Sequence, residues 1–142
     1  MRNRLIRLGR SAAGYEAAMT IPILIVLGIG VVEFGRAYQT WQVLMTAARE
    51  GAKVAATAGS TDAQVESAVR TYMTSEHLKH AATTPVVLDR HVTMGPATGT
   101  RITIQYPFEL MMLNPAVQLV RPDSTTSAPL TMSAVAIMRN ES

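Results

Sequence analysis

Cysteine is absent from the 142 residues, which excludes a disulfide framework and any thiolate metal site. The cellular compartment therefore has to be argued from topology. Aromatic residues make up only 5% of the chain, so a core must be built from Val, Ile, Leu and Met, and it will be small. Charged residues are sparse too, at 16% against 48% hydrophobic, a balance that excludes a disordered tail. No acid lies among Arg2, Arg4, Arg7 and Arg10. Neither interleaved aromatics nor a second basic face accompanies these arginines, which argues against a nucleic-acid surface. No glycine-rich phosphate loop is present: "GIG" sits inside an apolar run, and the Ser and Thr residues at 124–127 have no partnered base.

What is present is one long apolar run. Residues 17–32 are uncharged with Thr20 as their polar exception, and at ~1.5 Å per residue they span roughly 24 Å of a ~30 Å hydrocarbon core. Tyr15 and Phe34 extend the run at either end, making a span of about 15–35. A cleaved secretory signal, a buried helix of a soluble domain and a retained transmembrane anchor all begin this way. The far end, "VVEFGRAYQTW", has no small-x-small cleavage site, and a soluble helix has no need of four arginines on one flank. The retained anchor fits best, with the arginines on the cytoplasmic side. Pro22 lies within the span and removes one backbone donor.

Helical periodicity continues beyond it. Phe34, Tyr38, Trp41, Met45, Ala48, Ala52 and Ala55 recur every three to four residues, while Arg36, Gln39, Gln42, Arg49, Glu50, Lys53 and Thr57 take the other face. One helix is thus expected from Tyr15 to Ala58, stopped by Gly59, over about 44 residues. Tyr38 and Trp41 suit an interfacial belt or a stripe packed on a soluble domain, and their place on the apolar face favours packing. Glu33 and Arg36 read as a solvated i,i+3 pair at the outer membrane boundary.

"STDAQVESAVRTYMTSEHLKH" reads as a second helix with Thr61 as N-cap and Gln64 completing a capping box; Val65, Ala68, Val69, Tyr72 and Met73 make its buried stripe. The pattern then switches to period two. Val86, Leu88, Arg90 and Val92 alternate in one strand, and Ile102, Ile104, Tyr106 and Phe108 in another, with "GPATG" as the hairpin connection. "PLTMSAVAIMRN" supplies a third strand after a long connection at 111–129, expected to hold a short turn and a mobile Ser/Thr/Pro tip. The expected fold is α+β: a long N-terminal helix, a second short helix, and a three-stranded antiparallel sheet packed on the outer half of the long helix. The organisation is a basic cytoplasmic leader at 1–11, the long helix at 12–59 and an extracytoplasmic domain at 60–142.

Catalytic constellations are missing. "EHLKH" sets His77 and His80 at i,i+3 beside Glu76, a spacing that can hold a metal on a helix, but it has no third ligand and reads as a solvated helix end. His91 lies opposite the apolar set of its strand, and Asn140 formally opens an Asn-x-Ser acceptor at the chain's end. No catalytic residue, metal or cofactor is expected, and the chain is read as non-enzymatic.

The basic leader, Glu16, the apolar run with its proline, "EFGRA" and "AAREGAKVAA" together resemble the TadE-like proteins of tight-adherence (Flp) pilus systems. The likeness is strongest over residues 14–56, and "ITIQYPFEL" with "MSAVAIMRNE" is similar to the family's closing strands. The resemblance implies a minor pilin or pseudopilin, held in the bacterial inner membrane with its N-terminus cytoplasmic and its C-terminal domain periplasmic. It further implies membrane lipid, a major pilin, a sister minor pilin, the assembly platform and a prepilin peptidase as partners. In such subunits the peptidase leaves a glutamate at the fifth mature position, so Glu16 places the cut between Ser11 and Ala12. Ser11 stands where the family has glycine, and an uncleaved anchor stays open beside a processed one. Glu16 itself has several readings: snorkelling to the surface, complementing the helix N-terminus, pairing with a neighbouring subunit's freed amine, or a simple interface residue. A membrane-tethered binding or scaffold module unrelated to pili, contacting its target through 111–129, is the alternative.

Overall fold

Arg and Leu dominate the leader, with one glycine and no proline, and these residues favour helix. In the computed structural model, which describes residues 2–112 and 129–140 and the side chains of 14–112 and 129–140, α1 accordingly runs over Arg2–Ala56. It starts well before the expected Tyr15, and so takes in the backbone of the leader. It ends two residues short of Ala58, in a turn where Gly59 adopts φ +80°, a left-handed value that glycine takes without strain. The chain forms two compact units, Met1–Gly35 with Met111–Thr126, and Arg36–Leu110 with Ser127–Ser142.

In the second unit, α2 spans Asp62–Ser75, opened by the expected capping box: Thr61 Oγ1 accepts from the Gln64 N–H, and Gln64 Oε1 accepts from the Thr61 N–H. Three strands follow, β1 (Val86–Met94), β2 (Ala97–Phe108) and β3 (Leu130–Arg139), paired antiparallel in the order β1-β2-β3. The first hairpin is tighter than "GPATG" suggested, because Met94 pairs with Ala97 and leaves Gly95 and Pro96 alone in the turn. Gly95 has φ +62°, as the mirror-image two-residue turns require at their first position.

The period-two pattern places Ile102, Ile104, Tyr106 and Phe108 on the inner face, where all four are buried with Ala134 of β3. The same core takes Leu44, Ala47, Ala48, Ala52 and Ala55 from α1, and Val65, Val69 and Met73 from α2. Small residues on α1 let the other elements come close. At Gly51 the approach is closest: a Cβ there would overlap the Val69 Cγ2 atom, with Val65 and Ile102 also in reach.

Arg90 belongs to the inner set of β1, as its alternation predicts, and joins three elements. Its Nε donates to Asp62 Oδ1 at 2.7 Å at the start of α2, and its guanidinium also donates to the Ser60 carbonyl at 3.0 Å and the Ala55 carbonyl at 3.5 Å. Ala55 lies in the last turn of α1, whose carbonyls have no intrahelical partner. A register shift between Asp89 and Val92 accompanies this residue. The Asn140 side chain is engaged too, accepting from Thr100 Oγ1 at 2.7 Å and donating to the Arg90 carbonyl at 3.4 Å, which disfavours its use as a glycan acceptor.

Candidate anchor and contact surface

A helix that is apolar on every side needs an apolar surrounding. Ile23, Leu24, Ile25, Val26 and Leu27 are consecutive, so at 100° per residue they cover the whole circumference of α1, and all five are exposed. Met19, Ile21, Val31 and Val32 are exposed as well. Within Gly14–Ala56 the helix is long and apolar enough to cross a membrane, and its apolar stretch is almost entirely unburied. That combination is compatible with a single-pass membrane anchor and does not fit the core helix of a soluble domain.

Glu16 is exposed at the start of this stretch, and its carbonyl accepts the Thr20 hydroxyl at 2.8 Å. Pro22 lies inside α1 and has no N–H to offer the Ala18 carbonyl, yet the helix continues through it. Ser11 and Ala12 have helical backbone, and their side chains lie outside the described ones. The expected loop at 111–129 is likewise described only at Met111, Met112 and Pro129.

The packing expected of Tyr38 and Trp41 on the soluble domain is not what the structure has. Tyr38 is 54% exposed and Trp41 40%, and Phe34 is 74% exposed. The side of α1 that meets the core is lined instead by Leu44, Ala47, Ala48, Gly51, Ala52 and Ala55. Trp41 shares the helix face of Ala48, Ala52 and Ala55 and differs from them in its place along the axis, N-terminal to Leu44, the first buried apolar residue of α1 among the described side chains. The rings lie together, with centroids 6.1 Å apart, and Gln42 Nε2 donates to the Tyr38 hydroxyl at 2.7 Å. Arg36, placed on the polar face by the sequence pattern, stacks its guanidinium over the Phe108 ring at 5.5 Å.

Glu33 is the residue that sequence reasoning missed. Expected to be solvated, it is only 2% exposed, and its Oε1 accepts the backbone N–H of Met112. Both residues belong to the first unit. The one hint in the sequence is an acid set directly after a membrane-length apolar run. Its partner, 79 positions away, leaves no local signal.

The histidines do not share a helix face. The second helix was expected to run on through "EHLKH", but α2 ends at Ser75, and His77 takes φ +60°. The Leu78 N–H bonds the Met73 carbonyl and the His77 N–H bonds the Thr74 carbonyl, the two bonds of a Schellman cap. His80 faces Glu109 at 3.7 Å, with its ring 6.0 Å from that of Tyr106. Among the described residues, no three His, Asp or Glu side chains gather as a metal site would need.

Residues 12–53 match the family model described as TadE-like protein. This is the family whose motifs the sequence resembles, and the matched segment lies wholly within α1. No curated protein and no solved structure matches the chain.

Proposed function

We propose, from the TadE-like segment at 12–53, that this chain is a membrane-anchored, pilin-like subunit that takes part in assembling a tight-adherence pilus and performs no catalysis. The observation that carries the proposal is that the family match takes in the unburied apolar stretch of α1, the one helix among the described residues that is long and apolar enough to cross a membrane. α1 holds the subunit in the bacterial inner membrane, N-terminus cytoplasmic, with the arginines of the leader on the inner side. The exposed faces of α1 are the surface offered to a major pilin, a sister minor pilin and the assembly platform. Glu16, carried at the start of the apolar span, pairs with the freed N-terminal amine of a neighbouring subunit, each charge offsetting the other in a low-dielectric setting.

A prepilin peptidase cutting between Ser11 and Ala12 would leave Glu16 as the fifth mature residue. Ser11 in place of glycine favours a second reading, in which the leader stays attached and the protein scaffolds the assembly machinery from the membrane. Intact-mass analysis of membrane-extracted protein, made with and without the cognate peptidase, separates them. Loss of residues 1–11 supports processing, and an unchanged mass in both samples leaves the scaffold. Deleting the gene and finding pili of normal number and length would sink both.

A further inference from the structure

We infer that Met111 and Met112 form a second membrane contact, seated in the outer headgroup region of the bilayer that α1 crosses and held there by the Glu33 carboxylate. The inference rests on the anchor reading and adds a lipid-binding site outside the helix.

Depth is set by α1. From Gly14 to Val32 the helix rises about 27 Å at 1.5 Å per residue, close to the hydrocarbon thickness, so Glu33 stands where the hydrocarbon ends. The Met112 N–H is bonded to Glu33, which puts Met111 and Met112 at that same level. Both side chains are exposed, as are Val31, Val32 and Phe34 on the adjoining turn of α1. The apolar surface of the span is thereby continued by two flexible, apolar side chains from a distant part of the sequence.

The buried hydrogen bond is what such a location requires. Backbone outside a helix is tolerated at membrane depth only where protein satisfies its polar groups, and here an almost fully buried carboxylate oxygen takes the Met112 N–H. In water that N–H would need no such partner. Two thioether side chains facing outward beside it complete an interfacial contact of the kind that sinks about 5–10 Å into the headgroup and acyl boundary.

Because the chain has no cysteine, one introduced cysteine is a unique label site. The full chain, carrying an environment-sensitive fluorophore at Met112→Cys or separately at Met111→Cys, is placed in phosphatidylcholine and phosphatidylglycerol vesicles. It is then quenched with nitroxide lipids of defined depth and with aqueous iodide. Ile25→Cys in the span and Thr71→Cys, at an exposed position of α2, serve as references. Both methionine positions should be quenched most by the shallow nitroxide, with iodide quenching clearly below that at Thr71→Cys. Adding Glu33→Ala should raise iodide quenching at Met112→Cys to the Thr71→Cys level and leave Ile25→Cys unchanged, whereas Glu33→Gln, which keeps an acceptor oxygen, should not. Iodide access equal to Thr71→Cys in the parent chain overturns the inference, and so does protection from both quenchers, which would mean a protein partner. Retained lipid quenching at Met112→Cys in the Glu33→Ala chain overturns the role of Glu33. Absence of lipid quenching at Ile25→Cys would defeat the anchor reading itself.

Discussion

Two single residues carry more of the fold than their chemistry suggests. His77 holds the left-handed position of the α2 cap, where glycine is the usual occupant and an L side chain meets its own backbone. His77→Gly is therefore expected to stabilise the chain by about 0.5–1 kcal/mol, relief of that strain exceeding the extra chain entropy of glycine. Urea unfolding in detergent micelles measures it, and a loss of stability would mean that the ring makes a contact worth more than the strain. Gly51 is the opposite case. Alanine would gain helix propensity, about 1 kcal/mol, but would push into Val69, and overpacking of this kind costs about 1–3 kcal/mol. Gly51→Ala should lower stability, and Val69→Ala in the same chain should restore part of it; additive losses would place the strain elsewhere. The cap at Thr61 was readable because its two partners are three residues apart. Gly51 and His77 were not, since one answers to a side chain on another helix and the other to where the core stops α2.

Elements are joined by a few polar ties. Arg90 binds the end of α1, the start of α2 and β1 together, so Arg90→Ala should cost about 2 kcal/mol, the range for hydrogen bonds to a charged group whose acceptors lose their partner. Asp62 is mostly exposed, and the Arg90–Asp62 coupling in a double-mutant cycle should reach only about 0.5–1 kcal/mol. A coupling as large as the whole Arg90→Ala effect would show that the carbonyl contacts contribute nothing. Alternation alone set Arg90 among the inward residues of β1. What it could not give is the acceptor set, because helix carbonyls look alike in any sequence. The aromatic stripe has a similar history: Tyr38 and Trp41 belong to a genuine apolar repeat, but the repeat does not say how far along α1 the core extends, and its buried apolar residues begin at Leu44.

Across the whole molecule the functional reading turns on α1. If Glu16 pairs with a neighbouring subunit, Glu16→Ala should leave membrane insertion intact, judged by resistance to alkaline extraction, and should reduce both pilus number and co-purification of a sister subunit. Normal piliation in that strain would remove the pairing role, and loss of insertion would make Glu16 a membrane-boundary residue instead. The second unit has a core built largely from alanine, valine and isoleucine, in keeping with the scarcity of aromatic residues.

Local chemistry sufficed for the membrane-length helix, the capping box, three alternating strands and the inner face of β2, because each is written in the spacing of neighbouring residues. Long-range proximity settled the rest. Glu33 takes its bond from Met112, 79 positions away, and Gly51 is crowded because Val69 of α2 packs against it. The acid that opens the apolar run, Glu16, kept the place its sequence assigned, exposed at the start of the span. The acid that closes it, Glu33, gained its role from a backbone amide that no reading of its neighbours contains, since hydrogen bonding across a fold depends on distance in space and not on distance along the chain.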